Sequence, residues 1–347
     1  GLSDREAGST AGYGALGTVS IALVCALYMH RLPLRRLALA GLVLAIVTNS
    51  LAAFHFDSLS VFYVLRALAA LGEGAAYAAV MSSFARQLSS ERCYGLFMTL
   101  QFGIAGVALW ALPSFLPAMS VSQIYLGFAA VQVLVLPLIT SLPSDAAEVA
   151  GVSLRGSEWR LLLAIPALAG LVALCFSEAS NIGTDAYLER IAVHAGLSDS
   201  QIGVSLGLAS ILGMPGAFAI LFLGDRLGHA LPALLGFAVG ALSLVGILSS
   251  DSYAGFFLFT CIHSVAWAFV TPYIQSILAD LDPGGAVVTA GGIASGAGAG
   301  IGPAATAMQV SANDYAGVMT VGLGSFAVAA FAIVVATRGL GRLSGHR

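Results

Sequence analysis

An all-α, multi-pass membrane protein made of two pseudo-symmetric halves is the fold class this sequence predicts, and three observations predict it. Hydrophobic residues make up 59% of the 347 and charged residues only 9%, with a mean hydropathy of +0.94. A soluble domain carries about 25% charged residues. Apolar segments recur along the whole chain with short polar breaks, and part of the first half reappears in the second at a fixed offset.

The same composition excludes a disordered chain, a large soluble domain and a nucleic-acid binder. Net charge is −3 and there is no basic block to meet a polyanion. All 14 basic residues are arginine, a compositional bias rather than chemistry. Cys25, Cys93, Cys175 and Cys261 are scattered through apolar stretches with no CxxC or Cys/His spacing. They read as packing residues; no metal and no cofactor is implied.

Eleven apolar spans lie near 12–30, 37–54, 58–84, 93–116, 122–142, 158–190, 200–223, 231–249, 253–279, 285–310 and 315–337. Their order predicts an N-terminal bundle over 1–142, a cytoplasmic linker over 143–157 and a C-terminal bundle over 158–347. Arginines set the orientation, because cytoplasmic loops carry the excess of basic residues. The breaks holding Arg31, Arg35 and Arg36, then Arg86 and Arg92, Arg155 and Arg160, Arg226, and the C-terminal Arg338, Arg342 and Arg347 alternate with breaks holding only Arg5 and Arg190. The C-terminus is therefore expected in the cytoplasm and the acidic start outside.

The repeat has an offset of 195: Leu2-Ser3-Asp4…Gly8 returns as Leu197-Ser198-Asp199…Gly203, Arg31-Leu32 as Arg226-Leu227, and Gly41 as Gly236. The second copy has a span, 158–190, ahead of its motif where the first has none. The expectation is two six-helix halves with eleven of twelve helices present, the opening helix being absent from this sequence.

Within span 58–84 two charges, Arg66 and Glu73, stand seven residues apart and so on one helix face. A charge facing lipid costs at least about 2.5 kcal/mol, so both are expected to face protein or a watery cavity. The bland reading is a structural ion pair, or charges bonded to neighbouring helices that never touch a solute. In span 93–116, Gln101 is a candidate hydrogen-bonding neighbour. The apolar run Leu161–Phe176 is too short to cross a bilayer, which takes about 20 residues. Its helix is therefore expected to continue through Ser177 to Asp185. Glu178, Asn181, Asp185 and Glu189 follow steps of 3, 4 and 4, a single polar face; the competing reading ends the helix near Glu178 and leaves the rest as a loop.

In span 253–279, His263 and Trp267 lie one turn apart, a candidate proton relay and a candidate stacking surface, although a lone histidine is more often a packing residue. Glycines 291, 292, 296, 298, 300 and 302 fail the spacing of a dinucleotide loop. Small residues three or four apart predict close helix approach instead.

Three motifs resemble the major facilitator superfamily, and the likeness runs over essentially the whole chain. Gly224-Asp225-Arg226-Leu227-Gly228-His229 is similar to its cytoplasmic G-x-x-x-D-R-x-G loop, shortened. The first-half copy, His30-Arg31-Leu32-Pro33-Leu34-Arg35-Arg36, has His for the expected Asp and Pro for the expected Gly. Arg66…Gly72-Glu73-Gly74 resembles the R-x-x-x-G-x-G motif of the family's fourth helix, with Ala70 for the first glycine. Gly298-x-x-x-Gly302-Pro303 resembles a GxxxGP antiporter core, which the family carries in its fifth helix; the corresponding span here has Gly103 and Gly106 and no GP. The resemblance implies a major facilitator fold of two six-helix bundles around a central site opened alternately to each side. Arg31, Asp225 and Arg226 would form the cytoplasmic gate, with Asp225 capping a helix start; the competing reading is a loop that only sets topology.

The function these readings predict is a secondary active transporter of a small organic solute, coupled to protons, acting as a monomer in a bacterial inner (plasma) membrane. Its site would be drawn from Arg66, Glu73, Gln101, Glu178, Asn181, Asp185, His263 and Trp267, with Glu73 or Glu178 carrying the proton. Lipid, solute and protons are its partners; nucleic acid is not. One alternative is a transport-dead sensor or scaffold on the same fold. Another is a membrane-embedded enzyme, against which His30, His55, His194, His229, His263 and His346 stand dispersed, with no HExxH spacing. There is no GxxxxGK[ST] loop to bind ATP.

Overall fold

A computed structural model describes residues 4–28, 32–115, 119–142, 162–250, 252–282, 285–310 and 315–344. Among these the secondary structure is entirely helical. In chain order the helices are α1 (Asp4–Tyr28), α2 (Leu34–Ala52), α3 (Leu59–Ala85), α4 (Ser90–Phe115), α5 (Val121–Val135, continued by a 3₁₀ turn over Leu136–Ser141), α6 (Ile165–His194), α7 (Asp199–Leu223), α8 (Ala230–Leu248), α9 (Tyr253–Leu281), α10 (Ala286–Ala307) and α11 (Ala316–Ser344). They fall where the eleven spans were expected. Eight of them, α2, α3, α5 with its extension, α6, α7, α8, α9 and α11, are long and apolar enough to cross a membrane. The chain is an integral multi-pass membrane protein.

Local sequence sets several helix ends. Ser120 and Ser198 each cap a helix start, accepting from the backbone N–H of Gln123 and Gln201, whose side chains reach back to the cap residue's N–H. The repeated Leu-Ser-Asp motif at 197–199 is thus a helix-start signal. Gly224 ends α7 at φ +53°, and Gly228 follows at φ +65°. Both lie in the left-handed region that side chains with a Cβ avoid, so this turn depends on glycine.

The helices gather into two compact units. The first holds α1, α2, α3, α5 and the start of α10 (282–293); the second holds most of α4 (87–112), α6 to α9, the rest of α10, and α11. This grouping by contact departs from the chain-order division at 1–142 and 158–347 at those two segments. The expected linker, 143–157, lies outside the described residues.

In the first unit α3 packs against both α1 and α2, and α2 packs on α5. Gly41 and Gly72 set the α2–α3 crossing: a Cβ on either would run into the other's backbone carbonyl. In a membrane, where no hydrophobic effect draws helices together, such backbone proximity supplies the van der Waals contact. In the second unit α6 packs on α11, and α9 packs on both α7 and α8. Gly236, the repeat partner of Gly41, lies where α8 meets Val270 and Phe269 of α9. The repeated glycines thus occupy equivalent helix crossings.

Candidate functional site

In the first unit the two charges of α3 meet a pair of amides. Asn49 lies two turns beyond Gly41 on α2, on the face that Gly41 and Ala45 press against α3. It is fully buried. Its Oδ1 accepts from Nη1 of Arg66 at 2.7 Å, and its Nδ2 donates to Oε1 of Glu73 at 3.2 Å and to Oε1 of Gln132 at 3.2 Å. Gln132, on α5, donates from Nε2 to the same Glu73 oxygen at 2.9 Å. The guanidinium carbon of Arg66 lies 5.4 Å from the ring centroid of Tyr125, also on α5, within cation–π range. Arg66 and Glu73 themselves are half-buried.

The arrangement does two things chemically. It neutralises two intramembrane charges with neutral dipoles and with each other across one amide, which lowers the cost of holding them away from bulk water. It also leaves the Glu73 carboxylate held by amide N–H groups and not by a direct ion pair. Asn49, Gln132 and Tyr125 were missed in the sequence reading. Each is a lone polar or aromatic residue in an apolar helix, and only packing against Arg66 and Glu73 gives it meaning.

In the second unit α6 is one continuous helix through Glu178, Asn181, Asp185 and Glu189, as the short apolar run predicts. Glu178 is buried and accepts from Nε1 of Trp267 on α9 at 3.4 Å. The indole is held by an edge-to-face contact with Phe102 of α4, centroids 5.6 Å apart at 87°. From the other side, α10 approaches α6 through glycines. A Cβ on Gly298 would meet the Cys175 carbonyl and the Cβ of Glu178, and one on Gly302 would meet the Ala179 carbonyl. Gly298 and Gly302 therefore seat α10 on the helix bearing Glu178, whereas Gly296 and Gly300 meet nothing within 4 Å. Asn181 is buried and shares a narrow crevice with Ser177 and Trp267.

Other candidates stand apart. His263 is fully buried, its Nδ1 3.2 Å from Oγ of Ser243 on α8 and its ring beside Phe326 of α11. Ser243 donates its own proton to the Gly240 carbonyl at 2.7 Å, so His263 Nδ1 is the donor in that pair. Asp185 and Glu189 are exposed farther along α6, and Gln101 is exposed on α4. Arg31 lies outside the described residues. Asp225 and Arg226 are exposed in the turn between α7 and α8. The N-cap position of α8 is taken by His229, without a side-chain cap bond, so Asp225 does not cap that helix.

The model of the Major Facilitator Superfamily matches residues 1–307. No curated protein matches the sequence. Among solved structures the chain resembles the Major Facilitator Superfamily transporter FucP in its outward conformation, at 16% identity and a TM-score of 0.77 over 96% of this chain and 90% of that one. It also resembles a second structure of FucP, the E. coli fucose:proton symporter, at 18% identity and a TM-score of 0.73 over 95% and 90%. A bacterial homologue of the iron transporter ferroportin, in an outward-facing state, is similar at 14% identity and a TM-score of 0.76 over 96% and 91%.

Proposed function

The chain belongs to the Major Facilitator Superfamily, and on that premise we propose that it is a secondary active transporter that moves a small organic solute by alternating access, driven by protons. One observation carries the proton coupling: Glu73, midway along a membrane-spanning helix, is a half-buried carboxylate held only through amide N–H groups of Asn49 and Gln132 among its described partners. An ionisable group kept at that depth marks a pathway unless it is sealed in a direct ion pair. Glu178 is the second proton candidate, with Trp267 beside it as an apolar wall for solute. Arg66 either attracts a solute carboxylate or keeps Glu73 charged. That FucP is a proton symporter agrees with this reading.

The test is transport by the reconstituted chain. Organic acids, sugars and drugs are first screened for thermal stabilisation; a ligand at a hundred times its Kd adds about 2.7 kcal/mol. Hits are then offered to proteoliposomes under an imposed pH gradient. Uphill accumulation that collapses with a protonophore supports the proposal, and facilitated flux indifferent to the gradient removes the proton coupling. The arginine distribution further supports an inner-membrane orientation with a cytoplasmic C-terminus, which a C-terminal fluorescent reporter would check.

A further inference from the structure

The second unit holds a cluster of charges that the proposed site does not use. His229, at the start of α8, places Nδ1 2.7 Å from Oδ2 of Asp280 at the end of α9 and Nε2 4.0 Å from Oε2 of Glu91 at the start of α4. The Glu91 carboxylate is only 6% exposed and the imidazole 14%, whereas Asp280 is 44% exposed. Arg92 approaches Glu91 at 4.0 Å but is itself 53% exposed. Asp225, in the α7–α8 turn, adds a further negative charge toward the imidazole. Tyr273 of α9 sits 6.2 Å away, ring to ring, and donates its hydroxyl to the Gly224 carbonyl at 3.3 Å. Three carboxylates thus act on one imidazole, and the Arg92 guanidinium that approaches Glu91 is half in solvent.

The chemistry of the ring decides what this cluster does. A neutral imidazole has a single N–H. With Nδ1 committed to Asp280, the other nitrogen is a lone pair, and it faces the buried Glu91 carboxylate. Nε2 is buried and has no hydrogen-bond partner. A protonated ring presents an N–H to both carboxylates and cancels the buried negative charge. The charged and neutral forms therefore differ in whether α4 is held.

We propose that His229 is a proton-operated latch, its charged ring tying the start of α4 to the end of α9 across the α7–α8 turn and its neutral ring releasing Glu91. Burial opposes the charged ring, but the hydrogen bond to Asp280 and the charges of Asp280, Glu91 and Asp225 outweigh it and raise the pKa above the ordinary histidine value. The latch is closed at acidic pH and opens as pH rises through that raised value. It acts whatever the solute and whether or not Glu73 carries a proton.

Hydrogen–deuterium exchange on the full chain in lipid nanodiscs, corrected for the intrinsic pH dependence of exchange, tests this. In the wild type, protection of the peptides covering 90–96 and 224–232 should fall about tenfold from acidic to alkaline pH, the scale of one partly screened ion pair at 4.0 Å. His229→Arg should stay protected throughout, His229→Gln should stay open throughout, and Glu91→Gln should lose the step. Wild-type protection that does not change with pH overturns the latch. So does a step of equal size in Glu91→Gln, an outcome that stands even if the His229 variants fail to fold.

Discussion

Arg66 and Glu73, two turns apart on α3, share one partner: the buried amide of Asn49 accepts from the guanidinium at 2.7 Å and donates to the carboxylate at 3.2 Å. The amide can serve both because its oxygen and nitrogen take opposite roles. Removing it leaves two charges short of partners inside a membrane-spanning bundle, a loss that is more costly than the hydrogen bonds it breaks. Asn49→Ala should therefore destabilise the protein by about 3 kcal/mol. Gln132→Ala should cost about 1 kcal/mol, since Asn49 still reaches Glu73. Thermal unfolding in detergent measures both, and equal effects would show that Asn49 is no bridge.

The proposed proton coupling is tested separately from solute binding by neutralising each glutamate in turn. Glu73→Gln keeps an oxygen that can accept from Asn49 and Gln132, so the fold should survive while the titrating group is lost. Uphill accumulation under a pH gradient should drop at least about tenfold, with solute counterflow retained, if Glu73 is the carrier. Glu178→Gln should show that split instead if the carrier is Glu178. Two variants that both accumulate solute like the wild type would end the proton-coupled reading.

What the sequence could reveal follows from what stands out against an apolar background. Arg66 and Glu73 are visible because full charges in a spanning segment are costly, and the continuity of α6 through Glu178 followed from its apolar run being too short. The glycine row of α10 announced close packing, though not that its partner is α6. Asn49 and Gln132 were invisible as a pair, since their relation spans 83 residues and leaves no periodicity. The loop motif drew attention to Asp225 and Arg226, its fully charged members. The glycine-shaped turn instead leaves both in solvent and turns His229, the residue after Gly228, onto Glu91 and Asp280.

The raised pKa of His229 carries a stability consequence with a definite sign. A base that binds its proton more tightly when folded contributes stability that is fully present below its unfolded pKa, ordinarily 6.5, and lost as pH rises through the folded value. The thermal midpoint should fall across that rise. Asp280→Asn removes the charge and keeps only an amide oxygen as acceptor, and should flatten the slope. Thermal scans from about pH 6 to about pH 9 check this; a midpoint that climbs over that range would reverse the assignment of sign.

Glu178 is positioned by packing as much as by Trp267, and the glycines of α10 separate the two contributions. A methyl on Gly298 collides with the Cys175 carbonyl and the Cβ of Glu178, whereas one on Gly300 meets nothing within 4 Å. Backbone cannot yield as a flexible side chain does, so Gly298→Ala must push α10 off α6. It should cost about 1–3 kcal/mol and lower transport by displacing Glu178 from the indole. Gly300→Ala relieves only the entropy of the unfolded chain and should be neutral or stabilising by up to about 1 kcal/mol. Thermal midpoints and flux measured on both variants compare two glycines two residues apart on one helix, so a difference reports the α6–α10 contact and not the general tolerance of the helix for alanine. Equal behaviour would mean that α10 does not hold Glu178 in place.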